Sequence, residues 1–327
     1  MMKYIARRLL IAIPMLIAIS IVSFVVIKLP PGDYLTNLIQ ERRNSGRPMD
    51  LAEIDRYERR YGLNEPTYKQ YLKWVSGFPK GDFGQSFEHE RPVLEIVKER
   101  IGFTVAISIF TVLFTWAISI PIGIYSAVRQ YSIVDYLATF IGFIGMAVPG
   151  FLLALVIMFL SIRYFGTSVS GLVSSRFIGE PWSWEMVKDM MSNIWVPVVV
   201  VGLAGTAGNI RVLRAQMLDE LGKDYVRTGL AKGLSEWYVT IKHAFRIAIN
   251  PLISTIGWIL PGIMAGDTIV GVVLSLPTIG PALHQALRMQ DMYLAGTLLL
   301  VQSALVIIGT LISDVLLAAV DPRIRFD

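Results

Sequence analysis

The side chains that could carry out chemistry in this sequence are few and scattered. His89, His243 and His284 lie far apart and form no HExxH pattern, so they predict no metal site. Neither a G-x-S-x-G nucleophile turn nor a GxxxxGK[ST] phosphate loop occurs. The sequence has no cysteine, which excludes disulfides and thiolate ligands. We therefore predict a chain that is not an enzyme, that hydrolyses no ATP itself and that binds no metal or cofactor of its own.

Two carboxylates inside apolar runs, Asp267 and Asp314, are the remaining candidates. Carriers coupled to protons or ions usually need intramembrane carboxylates or histidines as relays. Two isolated aspartates in different runs give weak support for predicting such a relay. If the chain moves a solute uphill, we expect a partner to supply the energy. An ion-coupled secondary carrier is the alternative from another class.

The composition indicates a membrane protein. Apolar residue types make up 54% of the 327 residues and charged types 17%, whereas soluble domains carry roughly 25% charged residues. The mean hydropathy is +0.56. The net charge of +5 says nothing about nucleic acid until the basic residues are placed relative to the bilayer, and their placement below indicates a lipid bilayer and no nucleic acid.

Six apolar runs are long enough to span a bilayer, which needs about 20 residues per helix. The first could be a cleaved signal peptide, but it is too long and ends in Leu29-Pro30-Pro31-Gly32-Asp33 instead of a cleavage site. The third contains Pro149-Gly150 and is expected to be kinked or split. The fold class is therefore an all-α integral membrane protein with six transmembrane helices, at Leu9–Ile27, Phe103–Val128, Tyr136–Ile162, Trp195–Ile210, Pro251–Ser275 and Leu294–Val320.

Basic residues predict the orientation, because they concentrate in short cytoplasmic connections. With both termini in the cytoplasm, the inner segments hold most of them, including Arg129, Arg211, Arg214, Lys223, Arg227, Lys232, Lys242 and Arg246. Residues 32–100 break the pattern with 12 basic and 12 acidic residues, but such long segments escape the rule. We expect a multi-pass protein of the cell membrane.

Residues 32–100 are the only sizeable polar region, between a first helix at 1–31 and a core at 101–327. Leu51–Tyr61 reads as a charged helix that Gly62 ends. In Tyr68–Val75 the spacing of Tyr68, Tyr71, Leu72 and Val75 predicts a second helix with that apolar face. We expect a small extracytoplasmic cap on the outer membrane surface.

Residues 211–250 read as a helix, a break and a second helix. Met217, Leu218, Leu221, Tyr225 and Val226 form one helical stripe, which Lys232 ends. Gly233 then suits a left-handed position, and Ser235 can cap the next helix with Glu236 in its first turn. Such a pair would present a rigid corner to the cytosol, with Trp237 and Tyr238 beside it. An ordinary basic loop is the alternative.

This segment resembles the signature of the permease subunits of ABC importers, closest to the dipeptide/oligopeptide branch with its type I architecture. The matching residues run in order along the chain: Pro31-Gly32-Asp33, Gly81-Asp82-Phe83-Gly84-x-Ser86, Pro92-Val93, Arg211-x-x-Arg214, Asp224-Tyr225-Val226-Arg227-Thr228, Ala231-Lys232-Gly233-Leu234, His243, Pro251, Pro277-x-x-Gly280 and Asp321-Pro322-Arg323.

The resemblance implies a coupling helix within residues 214–250 that docks on an ATPase subunit. The docking residues would be Asp224, Tyr225, Arg227, Thr228, Ala231, Lys232, Gly233, Leu234, Ser235 and Glu236. The resemblance also implies a second homologous permease subunit, two ATPase subunits that bind ATP and Mg²⁺, and an extracytoplasmic solute-binding protein. Peptides are the expected solute, with oligosaccharides or nickel as alternatives. A scaffold or receptor without transport would not need a docking corner.

The sequence also departs from the family pattern. Gly229 stands where the coupling loop usually has Ala, and Gly271 where this branch often has Glu. Asp267 lies one turn before Gly271 and could replace that glutamate in the path or at the subunit interface, or be a buried aspartate satisfied by a neighbouring helix. Small or helix-breaking residues suggest close packing or a path nearby, at Gly262, Gly266 and Pro149.

Overall fold

The computed structural model describes residues 2–62, 65–166, 168–177 and 180–320. Within helix 250–273 the side chains of 258–261 and 263–267 lie outside the described part. The regular elements of the described residues are helical, apart from an isolated bridge between Gln85 and Pro92. The helices are α1 Met2–Lys28, α2 Tyr34–Asn44, α3 Leu51–Tyr61, α4 Thr67–Ser76, α5 Val93–Val128, α6 Ile133–Ala147, α7 Gly150–Leu160, α8 Trp184–Asn193, α9 Trp195–Leu221, α10 Asp224–Ala231, α11 Glu236–Val239, α12 Arg246–Ala248, α13 Asn250–Val273, α14 Ile279–Arg288 and α15 Met292–Val320.

Helices long and apolar enough to cross a bilayer confirm a multi-pass membrane protein. In the described residues there are four, within α1, α5, α9 and α15, and the bent pair of α6 with residues 150–165 can form a fifth span. The predicted run Pro251–Ser275 falls on α13, whose middle side chains are outside the described part. The sequence prediction of an all-α membrane fold is confirmed.

The third predicted span is split into α6 and α7, one of the two outcomes expected at Pro149-Gly150. The two segments meet at an angle of 96°. Val148, which precedes the proline, is extended at φ −84° and ψ 120°, because the proline ring disfavours helical backbone there. Pro149 then occupies the N-cap position of α7. The break thus has a local cause in the sequence.

The described chain forms two compact units. One comprises residues up to Arg8, 105–276 and from Val306 onward; the other comprises 9–104 and 277–305. The second unit contains the predicted cap segment 32–100. There α3 has the predicted bounds, and Gly62 ends it in the left-handed region at φ 64°. The short helix α2, capped by Asp33, was not predicted.

The second cap helix is present as α4, but its buried face is shifted from the predicted one. Of the four residues predicted to face inward, Tyr71 and Val75 are half-buried. Tyr68 and Leu72 are exposed, and the buried side chains are Gln70 and Trp74. The indole of Trp74 stacks on Phe24 with ring centroids 6.1 Å apart. Tertiary contacts of the largest ring therefore decide which face is buried, in preference to the local stripe.

The loop that joins α4 to α5 is fastened to the start of α15 by a buried carboxylate. Ser86 Oγ donates to Asp291 Oδ2 at 2.5 Å, and the Glu88 amide donates to the same oxygen at 3.1 Å. The Leu294 amide donates to Asp291 Oδ1 at 3.2 Å. Burial raises the pKa of Asp291 above its usual value, against the opposing effect of these hydrogen bonds.

Candidate functional site

Helix α9 continues past Ile210, where the predicted fourth span ends, but it stops within the predicted stripe. The residues of that stripe therefore belong to two helices. The helix runs to Leu221, and α10 begins only at Asp224. Lys223 between them is extended, at φ −79° and ψ 152°. The prediction of a single helix through Tyr225 and Val226 is therefore wrong. Gly222 is a weak helix former, and the side-chain contacts of the next residues favour a turn.

Glu220 at the end of α9 holds this turn together. Its side chain is buried, and Lys223 Nζ lies 2.6 Å from Oε1. Tyr225 Oη donates to Oε2 at 2.5 Å. One carboxylate thus binds a residue of the turn and a residue of the next helix. Glu220 was not predicted from the sequence, because no local pattern distinguishes it from the other acidic residues of the segment, Asp219, Asp224 and Glu236.

The end of α10 confirms the predicted glycine turn. Gly233 is left-handed at φ 81°. Its amide donates to Leu230 O at 2.9 Å, and the Leu234 amide donates to Gly229 O at 3.2 Å. These two bonds define a Schellman motif, which satisfies the last carbonyls of the helix.

Ser235 caps the next helix, as predicted. Its Oγ accepts a hydrogen bond from the Tyr238 amide at 3.3 Å, and Glu236 lies in the first turn of α11. Helix α11 continues into a wider π-helical turn at Thr240–Phe245. We call residues 224–236 the corner. Both sides of its bend are therefore closed by hydrogen bonds.

The inner face of the corner is packed into an apolar cluster. Val226 of α10 and Val239 of α11 are buried there. Gly229 faces Val239, and a Cβ at that position would lie 3.2 Å from Val239 Cγ2. Alanine at this position would therefore require the Val239 side chain to shift by a few tenths of an ångström. The cluster joins the corner to α5, α9 and α13 through Ile124, Ala127, Leu213, Met217, Ala244, Ala248 and Leu252.

The other face of the corner is exposed and partly apolar. Leu230, Leu234 and Tyr225 are exposed, and so is Trp237, at 70%. Arg227 is also exposed, and its ion pair with Asp224 is long, at 3.9 Å. Large apolar side chains left exposed at the corner favour a protein contact. Leu230 was not among the predicted docking residues. Of the residues that were, Thr228, Ala231, Lys232 and Glu236 are exposed too.

A buried ion pair connects α9 to α6 within the same unit. Arg214 Nε donates to Asp135 Oδ1 and Arg214 Nη2 to Asp135 Oδ2, both at 2.8 Å. The Tyr131 amide donates to Asp135 Oδ2 at 3.0 Å, with Tyr131 itself in the left-handed region at φ 66°. Arg214 was among the residues singled out in the sequence, and Asp135 was not. The pattern Ser132-x-x-Asp135, in which Ser132 caps α6, indicates the start of that helix but not the partner of Asp135.

Comparison with known proteins identifies the family. Residues 119–326 match the family described as the inner membrane component of binding-protein-dependent transport systems. Residues 1–108 match the N-terminal family of membrane components of the same systems. The chain belongs to this permease family. The resemblance seen in the sequence is confirmed along nearly the whole chain.

Several relatives of this permease match over their full length. The oligopeptide transport system permease protein AppB of Bacillus subtilis (strain 168) is 35% identical over 330 residues, which cover 100% of both chains. The dipeptide transport system permease protein DppB of Escherichia coli (strain K12) is 32% identical, with 99% of each chain covered. DppB of Alkalihalophilus pseudofirmus is 30% identical over 100% of both chains.

The permease's predicted path residues are brought together only in part. Gly262 has open space where a Cβ would lie, and it lines a cavity together with Gly150, which follows Pro149. The surroundings of Gly266 and the side chain of Asp267 lie outside the described part of the structure. The glycines of α9 differ in how closely they are packed. A Cβ at Gly202 would lie 2.7 Å from Phe114, whereas a Cβ at Gly208 would have no neighbour within 4 Å. Close packing at Gly202 is thus internal to this chain.

Proposed function

We propose that this chain is a peptide-translocating subunit of an ATP-driven importer, and that its corner is the surface on which an ATPase subunit docks. The observation that carries the proposal is the combination found at residues 224–236. The bend is closed by hydrogen bonds on both sides, and its inner face is buried against three long helices. Leu230 and Leu234 are exposed on the corner, and Trp237, which directly follows the corner, is exposed as well.

A docking element transmits motion only if it is stiff and firmly joined to the helices that must move. The Schellman turn at Gly233 and the Ser235 cap supply stiffness within the corner. The buried cluster and Glu220 join it to α9. From α9 the Arg214–Asp135 pair continues the connection to α6. Movement imposed on the corner would therefore displace α9 and α6 together.

The proposed assembly contains a second homologous permease, two ATPase subunits that bind ATP and Mg²⁺, and an extracytoplasmic solute-binding protein. With the corner in the cytoplasm, both chain termini lie there too, as the basic residues predict. Peptides are the proposed cargo, because AppB and DppB are named as oligopeptide and dipeptide permeases. Oligosaccharides and nickel remain alternatives that the corner does not distinguish.

The proposal is tested by reconstitution in proteoliposomes. The permease is incorporated with the partner permease, ATPases and binding protein encoded beside it, and uptake of radiolabelled tri-alanine is measured. We expect accumulation only with ATP and only with all subunits. The permease alone with a proton gradient is the control, since accumulation there would identify an ion-coupled carrier and overturn the proposal. Absence of ATP-driven tri-alanine uptake by the complete assembly would contradict the peptide assignment.

A further inference from the structure

A cavity of about 370 Å³ lies among helices α5, α7, α9 and α13 of one compact unit. Four of its described lining residues are polar and uncharged: Thr111, Thr115, Asn209 and Thr255. The other lining residues are valine, alanine and glycine. Gly262 and Thr255 are exposed, so the cavity reaches the surface of this chain. It is therefore a concave, uncharged site with small walls.

The state of the Thr111 side chain is the observation that indicates a ligand in this cavity. It is 4% exposed, and among the described residues its Oγ1 has no hydrogen-bond partner. A buried hydroxyl without a partner costs free energy, so this group is expected to bind something that enters the cavity. Thr115 Oγ1 is only weakly engaged, with the Gly202 carbonyl 3.4 Å away. Asn209 adds an amide, which can both donate and accept.

The lining chemistry selects among solute classes. The described lining contains no histidine, carboxylate or thioether, which are ligands expected on a route for nickel. Hydroxyl and amide groups match the N–H and C=O groups of a peptide main chain. Valine, alanine and glycine walls leave room for solute side chains of different sizes.

We propose that this cavity is a station on the translocation path, where Thr111 and Asn209 hydrogen-bond the main chain of a peptide in transit. The inference rests on the proposed function, because it takes peptides as the cargo. Recognition of the invariant main chain, with small residues around the variable side chains, would let one permease pass many peptide sequences. Thr111 would be a binding residue and not a part of the coupling machinery.

The test uses the permease's lack of cysteine. Ala204→Cys places a thiol in the exposed cavity wall, and Thr206→Cys, two residues along α9, places one at a buried position that does not line the cavity. Each variant is assembled with its partners, and labelling of this chain by a charged methanethiosulfonate reagent is followed by mass spectrometry. We expect labelling at 204 and not at 206, and slowing of at least threefold when tri-alanine is supplied with its binding protein and ATP.

Conformational change is separated from direct contact by adding Thr111→Val, which removes only the hydroxyl. In Ala204→Cys/Thr111→Val we expect tri-alanine to lose its protective effect, whereas Thr206→Val added to Ala204→Cys should leave protection unchanged. Absence of labelling at 204, or protection that is unaffected by Thr111→Val, would overturn the proposal that this cavity is a station on the path. These outcomes are read only in assemblies that accumulate tri-alanine with ATP. Failure of that uptake instead counts against the proposed function.

Discussion

Arg214 binds Asp135 through two parallel hydrogen bonds of 2.8 Å, across 79 positions of sequence. The carboxylate is almost fully buried, while the guanidinium is about a quarter exposed. Because a buried charge that loses its partner is strongly destabilising, we expect Arg214→Met to cost about 3–5 kcal/mol in the stability of the protein. Thermal unfolding of the purified permease assembly measures this.

The conservative change Arg214→Lys is the matched control. Lysine keeps the charge but cannot make the paired hydrogen bonds of a guanidinium, so an intermediate loss is expected. The double variant Asp135→Asn/Arg214→Met removes both charges and should recover part of the stability lost in Arg214→Met. If the double variant is as unstable as the sum of the single variants, the two residues do not act as a pair.

Gly233 provides a prediction about stiffness of the corner. Proline at this position would force φ to about −65° and remove the amide that donates to Leu230 O. We expect Gly233→Pro to abolish ATP-driven uptake while membrane insertion remains normal. Gly233→Asn should retain most uptake, since asparagine tolerates the left-handed conformation. Equal uptake by Gly233→Pro and the unmodified protein would remove the coupling role of the turn.

Arg227 provides a prediction about the charge of the proposed docking surface on the corner. Its side chain is 75% exposed, and its contact with Asp224 in the described part of the chain is long, at 3.9 Å. Its reversal in Arg227→Glu should therefore have little effect on folding. We expect Arg227→Glu to lose ATP-driven uptake and to retain less ATPase on co-purification, whereas Arg227→Lys retains both. Normal uptake by Arg227→Glu would show that this charge is not used in docking.

Asp291 provides a prediction about pH. Burial raises its pKa, so the folded state holds the proton more tightly than the unfolded state. Its contribution to stability is fully present below the ordinary carboxyl pKa and is lost as pH rises through the raised pKa. We expect this part of the pH dependence of thermal unfolding to vanish in Asp291→Asn.

Asp189 is the control for that measurement, because its pKa is shifted in the opposite direction. Hydrogen bonds from the Ser174 hydroxyl and amide lower the pKa of Asp189. Its contribution is therefore present above the ordinary carboxyl pKa and is lost as pH falls through the lowered pKa. Asp189→Asn should flatten the acid side of the profile. The same change in both variants would contradict the assignment.

Features that depend on neighbouring residues were predictable from the sequence. The long apolar runs indicate spans, Pro149 indicates the break in the third, and Gly233 with Ser235 indicates the bend of the corner. In each case the deciding interaction lies within a few residues of the signal: a proline restricts the residue before it, and a serine caps the helix that follows it.

Features that depend on distant partners were not predictable. Trp74 decides the buried face of α4 through rings that are remote in sequence, such as Phe24. Asp135 becomes a partner of Arg214 only when α6 packs on α9. Neither of these pairings leaves a local pattern from which the partner can be read.

Photo-crosslinking from a residue next to the corner shows whether an ATPase subunit binds there. Trp237, exposed at 70%, is replaced by p-benzoylphenylalanine in the complete assembly, and Trp184, exposed at 71% on α8, is replaced in a parallel control. We expect light to join the permease to an ATPase subunit from position 237 and not from position 184. Crosslinking to the ATPase from position 184 alone, or from neither position in an assembly that transports, would contradict ATPase docking at the corner.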